Sequence, residues 1–204
     1  MRATNEQSQW AAHLIAENKL IVIPTDTVYG VASNAFSAEA VAKLLAVKGR
    51  DQTMPPPVLA ADAEALLALG DFEGNEARRA EVERIAQHFW PGALTLVIPT
   101  KRTFGWDTEA VGKTVAVRWP DDPVAERILL ATGPIAVTSA NRTGFPAATS
   151  AMQAYEYFGS EISLYVEGGP RNGGQPSTIL NCAGKNLEIV RRGTIGWEQI
   201  VGVL

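Results

Sequence analysis

The spacing of apolar side chains changes repeatedly between a helical and a strand-like period along the 204-residue chain. Helical spacing begins at residues 7–18, where Trp10 and Leu14 share one face. Short continuous apolar runs, typical of buried strands, lie at 20–24, 93–99, 115–119 and 134–140. The remaining pattern predicts an extended segment at 28–35, strands at 162–166, 177–181 and 187–191, and helices after Ser37, Asp62 and Asp121, at 76–89 and at 151–158.

This order of elements predicts the class of fold. Helices and strands alternate, but several connections are too short for parallel crossovers. We therefore expect one α/β domain, residues 7–204, with a twisted, open, mixed β-sheet and flanking helices.

Composition and charge narrow the possible functions. Hydrophobic residues make up 46% of the chain and charged residues 20%, which predicts a soluble globular protein. The net charge of −4 argues against a broad nucleic-acid surface. No apolar run approaches the roughly 20 residues that span a bilayer. A single cysteine, Cys182, excludes an internal disulfide, and the two histidines form no zinc-type cluster with it. We expect a cytoplasmic protein with no metal site of its own.

Polar residues follow the first buried strand in the segment PTDTVYG, residues 24–30. Ligands in α/β proteins usually bind at strand ends, and Asp26, Thr27 and Tyr29 offer suitable groups there. A turn stabilised by Thr and Asp side chains would explain the same residues.

The stretch KGRDQTMPPP brings two cations to the end of a helix. Lys48 shares the apolar stripe of Val41 and Leu44, so its ammonium must reach solvent or a polar cavity. Arg50 follows Gly49, which ends the helix. Both cations could simply cap the helix dipole. The prolines at 55–57 would form a stiff wall beside them.

Further polar residues lie on or beside later strands. Ser139 and Asn141 are two residues apart, so they project to the same side of an extended segment. They could equally mark a turn before Gly144. A fourth group of candidates consists of Thr114, Arg118, Ser177 and Arg191. The arginines in this group could instead be solvated or cover a sheet edge.

Together these segments resemble the YrdC-like family of L-threonylcarbamoyladenylate synthases. The resemblance rests on seven motifs in order along nearly the whole chain: PTDTVYG, KGR, FWPGALTLV, VAVRWPDDP, TSANRTG, PSTIL and VRRG. It implies a short, single-domain form with a concave, positively charged cavity. It also implies that L-threonine, bicarbonate and ATP are converted to threonylcarbamoyl-AMP and pyrophosphate. Separate transfer proteins would then modify the tRNA adenosine next to the anticodon.

The resemblance also implies roles for individual residues. Those expected on L-threonine are Thr27, Arg118, Ser139 and Ser177. Those expected on ATP are Lys48, Arg50, Met54, Thr114, Asn141, Thr149 and Arg191. The catalytic set would be Lys48, Arg50, Ser139 and Asn141. We expect Mg²⁺ to arrive with the nucleotide, and weak RNA contact is a further expectation.

Two positions depart from the family pattern. Many relatives have Asn or Lys where this chain has Met54, and His where it has Leu59. These departures keep open a paralogue of the same fold that acts on another carbamoyl or adenylate substrate. A non-catalytic RNA-binding module is a further alternative, against which the acidic pI and the lack of stacking aromatics argue. No residue stands out as a general base.

Overall fold

Nine strands form one open sheet in the computed structural model, which describes residues 5–49, 55–171 and 175–204. The strands are β1 (Ile21–Ile23), β2 (Gly30–Ser33), β3 (Val58–Leu59), β4 (Leu94–Pro99), β5 (Thr114–Arg118), β6 (Ile135–Ser139), β7 (Leu164–Tyr165), β8 (Thr178–Asn181) and β9 (Glu188–Arg191). Their order across the sheet is β7-β1-β2-β6-β3-β5-β4-β8-β9. Three of the pairings, β1 with β7, β3 with β5 and β4 with β8, are parallel, and the others are antiparallel. The predicted α/β domain with a mixed, open sheet is confirmed.

Helices flank both faces of this sheet. They are α1 (Asn5–Ala16), α2 (Ala38–Lys48), α3 (Ala63–Leu67), α4 (Glu76–Phe89), α5 (Pro123–Thr132), α6 (Ala151–Phe158) and α7 (Trp197–Val201). Short 3₁₀ turns lie at Glu109–Val111 and Gly159–Glu161. None of the helices in the described part of the chain is long and apolar enough to cross a membrane.

Side-chain caps set several helix starts. Ser37 accepts from the Ala40 N–H, and Asp62 accepts from the Glu64 N–H, as the sequence predicts. The prediction that Asp121 caps α5 is wrong. The cap is Asp122, whose Oδ1 accepts from the backbone N–H groups of Val124 and Ala125. The fixed backbone of Pro123 suits the first helical position, and this shifts the cap by one residue.

Two apolar layers lie on opposite sides of the sheet. The larger layer packs α2, α4 and α6 against one face. The smaller layer packs α1 and α5 against the other face, over strands β1, β2, β3, β6 and β7. We call the face beneath α1 and α5 the α1/α5 face.

The rest of the α1/α5 face, formed by β5, β4, β8 and β9, is left open by the residues that the structure describes. Along these strands, buried residues such as Leu96 and Val117 point into the larger layer. The alternate residues, which include Val97, Ala116 and Ile179, are only half-buried. Because successive strand residues point to opposite faces, these half-buried residues line the open part of the α1/α5 face. Within the described ranges, the fold therefore leaves an uncovered sheet surface that a ligand could use.

Candidate active site

Arg118 lies at the end of β5, buried beneath the loop that joins β1 to β2. It is 6% exposed, although it belongs to the row of residues that faces the open surface. Its Nη1 donates to Thr27 Oγ1 at 3.2 Å, and its Nη2 donates to Asp26 Oδ1 at 2.6 Å. Nε donates to the carbonyl of Gly92 at 2.9 Å. Two separate segments therefore fix the guanidinium group through three partners, and the solvated strand arginine considered above is excluded.

Burial and charge act in opposite directions on this guanidinium. Desolvation lowers the pKa of Arg118 from its ordinary value, and the Asp26 carboxylate partly offsets the shift. The group remains a cation at neutral pH because its ordinary pKa is very high. A buried guanidinium is suited to binding a carboxylate through charge-assisted hydrogen bonds.

Lys48 lies at the end of α2 in a second polar cluster. It is fully buried, and its ammonium donates to the Ser139 carbonyl at 2.5 Å and to Asn141 Oδ1 at 3.0 Å. Ser139 Oγ donates to the same Asn141 oxygen at 2.7 Å. The Asn141 amide nitrogen donates to the carbonyls of Arg142 and Phe145. The lysine on the apolar stripe thus meets polar groups, as the helix pattern predicts.

The backbone after β6 holds this cluster against the PTDTVYG segment. The Ala140 N–H donates to the Tyr29 carbonyl at 2.7 Å, and the Tyr29 N–H donates to the Ala148 carbonyl at 2.9 Å. Thr149 directly follows Ala148, so it lies next to this backbone. Its N–H and hydroxyl both donate to Gln153 Oε1.

Ser177, directly before β8, and Arg191, at the end of β9, form a third cluster. Arg191 donates through Nε and Nη2 to the Ser177 carbonyl, and through Nη2 to Ser177 Oγ at 3.0 Å. Ser177 Oγ lies 2.8 Å from Thr95 Oγ1 on β4. The strand registers place Thr95 beside Arg118 and Arg191 beside Ile179, so this cluster lies in the same row as Arg118. Sequence reasoning missed Thr95, although it stands inside the FWPGALTLV motif.

Thr114 occupies the opposite end of β5 from Arg118. The two residues are four positions apart along the strand, which is about 13 Å. Both side chains lie on the same face because their positions differ by an even number. The Thr114 hydroxyl donates to the Val111 carbonyl at 2.8 Å. Arg50 and Met54 lie outside the described residues. Leu59 is buried in the smaller apolar layer, where it packs as a hydrophobic residue.

Tyr29 anchors a network that the sequence did not predict. Its hydroxyl donates to Glu167 Oε1 or the Gly169 carbonyl, at 2.9 and 2.8 Å, and accepts from the Gly168 N–H. Burial raises the pKa of Tyr29 to about 12, so the hydroxyl stays protonated. The Arg171 guanidinium lies 5.6 Å from the ring centroid. These contacts hold the PTDTVYG segment to the chain after β7, and only a pairing of distant segments could have revealed them.

No group of three or more His, Cys, Asp or Glu side chains within the described ranges could hold a metal ion. Asp26 is the carboxylate beside Arg118, and one carboxylate does not make a metal cage. A divalent ion would therefore depend on oxygen atoms supplied by a ligand.

The fold and site define an α/β protein that gathers buried cations and hydroxyl groups beside an uncovered sheet face. This chain belongs to the Sua5/YciO/YrdC family. The family model, described as "Telomere recombination", matches residues 13–193. The predicted family resemblance is thereby confirmed.

Individual relatives agree with this assignment. A Mycobacterium tuberculosis relative is 37% identical over 194 residues, covering 95% of this chain and 87% of its own length. The Bacillus subtilis protein named threonylcarbamoyl-AMP synthase is 38% identical, covering 99% of this chain and 58% of that protein. Pyrococcus abyssi Sua5 complexed with L-threonine has a TM-score of 0.89 at 34% identity, covering 100% of this chain and 59% of that one. This chain thus spans under two thirds of the Bacillus and Pyrococcus proteins.

Proposed function

We propose that this protein is an L-threonylcarbamoyladenylate synthase, which forms threonylcarbamoyl-AMP and pyrophosphate from L-threonine, bicarbonate and ATP. The observation that carries the proposal is the buried Arg118 beside Thr27 on the sheet face that the described residues leave uncovered. A guanidinium and a hydroxyl are the partners that a hydroxylated amino acid needs. The names of the Bacillus relative and of the Pyrococcus threonine complex support the same substrate.

Two groups of residues would hold the two organic substrates. Arg118, Thr27 and the Ser139 and Ser177 hydroxyls would bind L-threonine. The residues proposed for ATP are Lys48, Arg50, Met54, Thr114, Asn141, Thr149 and Arg191. Thr114 and Arg118 lie about 13 Å apart on one face, a separation that an extended nucleotide and an amino acid could bridge together.

Lys48 would act mainly by positioning. Its ammonium is buried and already donates to the Ser139 carbonyl and to Asn141. We therefore propose that Lys48 orients Ser139 and Asn141. Its positive charge would also raise the electrostatic potential at the ATP phosphates that these residues approach. This refines the expectation that Lys48 touches the phosphates directly. Arg50 keeps its proposed role on the phosphates.

The chemistry would proceed in two steps. The neutral amine of threonine adds to carbon dioxide derived from bicarbonate and loses a proton, which gives a carbamate. A carbamate oxygen then bonds to the α-phosphorus of ATP, and the bond from that phosphorus to the α–β bridging oxygen breaks. Pyrophosphate leaves with the electron pair. The carbamate, the threonine carboxylate and the triphosphate are all anions, so positioning and positive charge should supply most of the rate enhancement. Mg²⁺ would enter with the nucleotide and neutralise its phosphates.

The remaining expectations concern the surroundings of the enzyme. Separate proteins would transfer the threonylcarbamoyl group to tRNA. Weak contact with RNA and a cytoplasmic location stay predictions.

Pyrophosphate release tests the proposal directly. We expect release only when ATP, bicarbonate and L-threonine are all present, with threonylcarbamoyl-AMP detected by mass spectrometry. Release that does not depend on threonine, or no release, would contradict the proposed function. Competition with other amino acids would identify a paralogue that acts on a different substrate.

Arg118→Lys tests the site within the same assay. It keeps the charge but loses the planar fork that reaches three partners, so kcat/KM for threonine should fall about 100-fold. Arg79→Lys is the matched control, because Arg79 is exposed on α4 and pairs with Glu83. Equal activities of the two variants would remove Arg118 from the site.

A further inference from the structure

Asp26 occupies the place on Arg118 that a substrate carboxylate would take. The two side chains form an ion pair with Nη2 to Oδ1 at 2.6 Å, and they are 7% and 16% exposed. The second guanidinium nitrogen, Nη1, donates to Thr27 Oγ1. A guanidinium binds a carboxylate most strongly through two parallel N–H groups. Because Asp26 already binds Nη2, a substrate carboxylate that engages both Nη groups competes with Asp26 for Arg118.

We propose that the Asp26–Arg118 pair is an exchangeable ion pair that selects free α-amino acids. The proposal rests on the proposed function. On binding, the α-carboxylate of L-threonine takes the Arg118 Nη groups, and Asp26 turns to the α-ammonium group. The internal pair and the amino acid zwitterion each carry one positive and one negative charge. The exchange therefore keeps every buried charge paired, whereas a carboxylate without an amine would leave Asp26 unpaired.

The location of Asp26 makes this exchange feasible. Asp26 belongs to the loop between β1 and β2, so its carboxylate can turn without moving a strand. Its neighbour Thr27 is fixed to Thr25 Oγ1, which in turn donates to the Val28 carbonyl at 2.6 Å. Arg118 is fixed by Gly92. Asp26 is therefore the movable member of the pair, and its contact with the guanidinium that would hold the α-carboxylate makes it a determinant of specificity.

The test compares two ligands by isothermal titration calorimetry. L-threonine carries both charges, and 3-hydroxybutanoate lacks the amine. Wild-type protein should bind L-threonine about tenfold or more tightly than 3-hydroxybutanoate, because only L-threonine supplies a partner for Asp26. Asp26→Asn removes the charge that the ammonium needs and frees Arg118 for any carboxylate. The preference should then fall about tenfold, through weaker threonine binding and stronger 3-hydroxybutanoate binding. Asp121→Asn, at an exposed carboxylate, is the control and should keep the wild-type preference.

Each outcome is decisive. If Asp26→Asn keeps the wild-type preference, Asp26 is only a structural counter-ion and the inference is overturned. If that variant does not fold, as judged by circular dichroism, Asp26→Ser must show the lost preference. Failure of both variants to fold also assigns a structural role and overturns the inference. If wild-type protein binds neither ligand and releases no pyrophosphate, the proposed function itself fails.

Discussion

At the scale of single residues, two lysines on α2 should differ sharply in what they contribute to stability. Lys48→Met would leave the Ser139 carbonyl and Asn141 Oδ1 without a charged donor in a fully buried site. We expect a loss of about 3 kcal/mol in the free energy of unfolding, measured by urea denaturation. Lys43→Met is the matched control, because Lys43 pairs with Glu39 on the exposed side of the same helix and its loss should change little. Similar losses from both variants would show that the buried cluster does not stabilise the fold.

The sequence predicted the candidate residues better than their partners. Helical spacing put Lys48 on a core-facing stripe, and alternation put Ser139 and Asn141 on one side of the chain. These are local rules. The burial of Arg118 beneath Asp26 depends on a loop 92 residues away in sequence, and no local pattern reports such a contact. For the same reason, Thr95 was missed until β4 and β8 were paired.

At the scale of elements, the β8–β9 hairpin needs a glycine at position 193. A Cβ on Gly193 would lie 2.4 Å from both the Pro176 carbonyl oxygen and the Thr178 nitrogen. Both are backbone atoms beside Ser177, so relief would require Ser177 to move away from Arg191. We expect Gly193→Ala to lose about 2 kcal/mol of stability and most pyrophosphate release.

Gly184, in the turn of the same hairpin, provides the control for this substitution. A Cβ there would have its nearest neighbour at 3.5 Å, which is an ordinary contact. Gly184→Ala should therefore keep both stability and activity. Full activity in Gly193→Ala would mean that the hairpin can shift without disturbing the site.

The boundaries of long helices were predicted well, but a short strand was missed. Helices α4 and α6 begin and end where apolar spacing and breaking residues predicted. Strand β3 was missed because it has two residues and directly follows three prolines. Its existence depends on pairing with β5 and β6 on either side, which is a tertiary effect.

At the scale of the whole molecule, the alternation of elements predicted a mixed, open sheet but not the order of its strands. Strand β3 separates β6 from β5, so the covered and uncovered parts of the α1/α5 face come from different stretches of the chain. The open face is therefore a product of topology. Arg118 and Arg191 lie in one row on this face, so a protein with net charge −4 can still place positive groups together there.

The single cysteine offers a measurement of global stability and of ligand binding together. Cys182 is 1% exposed, and burial raises the pKa of its thiol from 9.0 to about 12. At pH 8 the folded thiol is therefore protonated and shielded, so a thiol reagent should label only the opened protein. The thiolate is favoured in the unfolded chain once pH exceeds 9.0, so stability should fall as pH rises from there towards 12. At pH 8, ATP and L-threonine, each at about 100 times its Kd, should each slow labelling about 100-fold, because each binds the folded state alone. Cys182→Ser should take up no label, and Arg118→Lys should lose the threonine-dependent part of the protection. Labelling of the native protein at the rate of a free thiol would show that this part of the sheet opens on its own, independently of the site it supports.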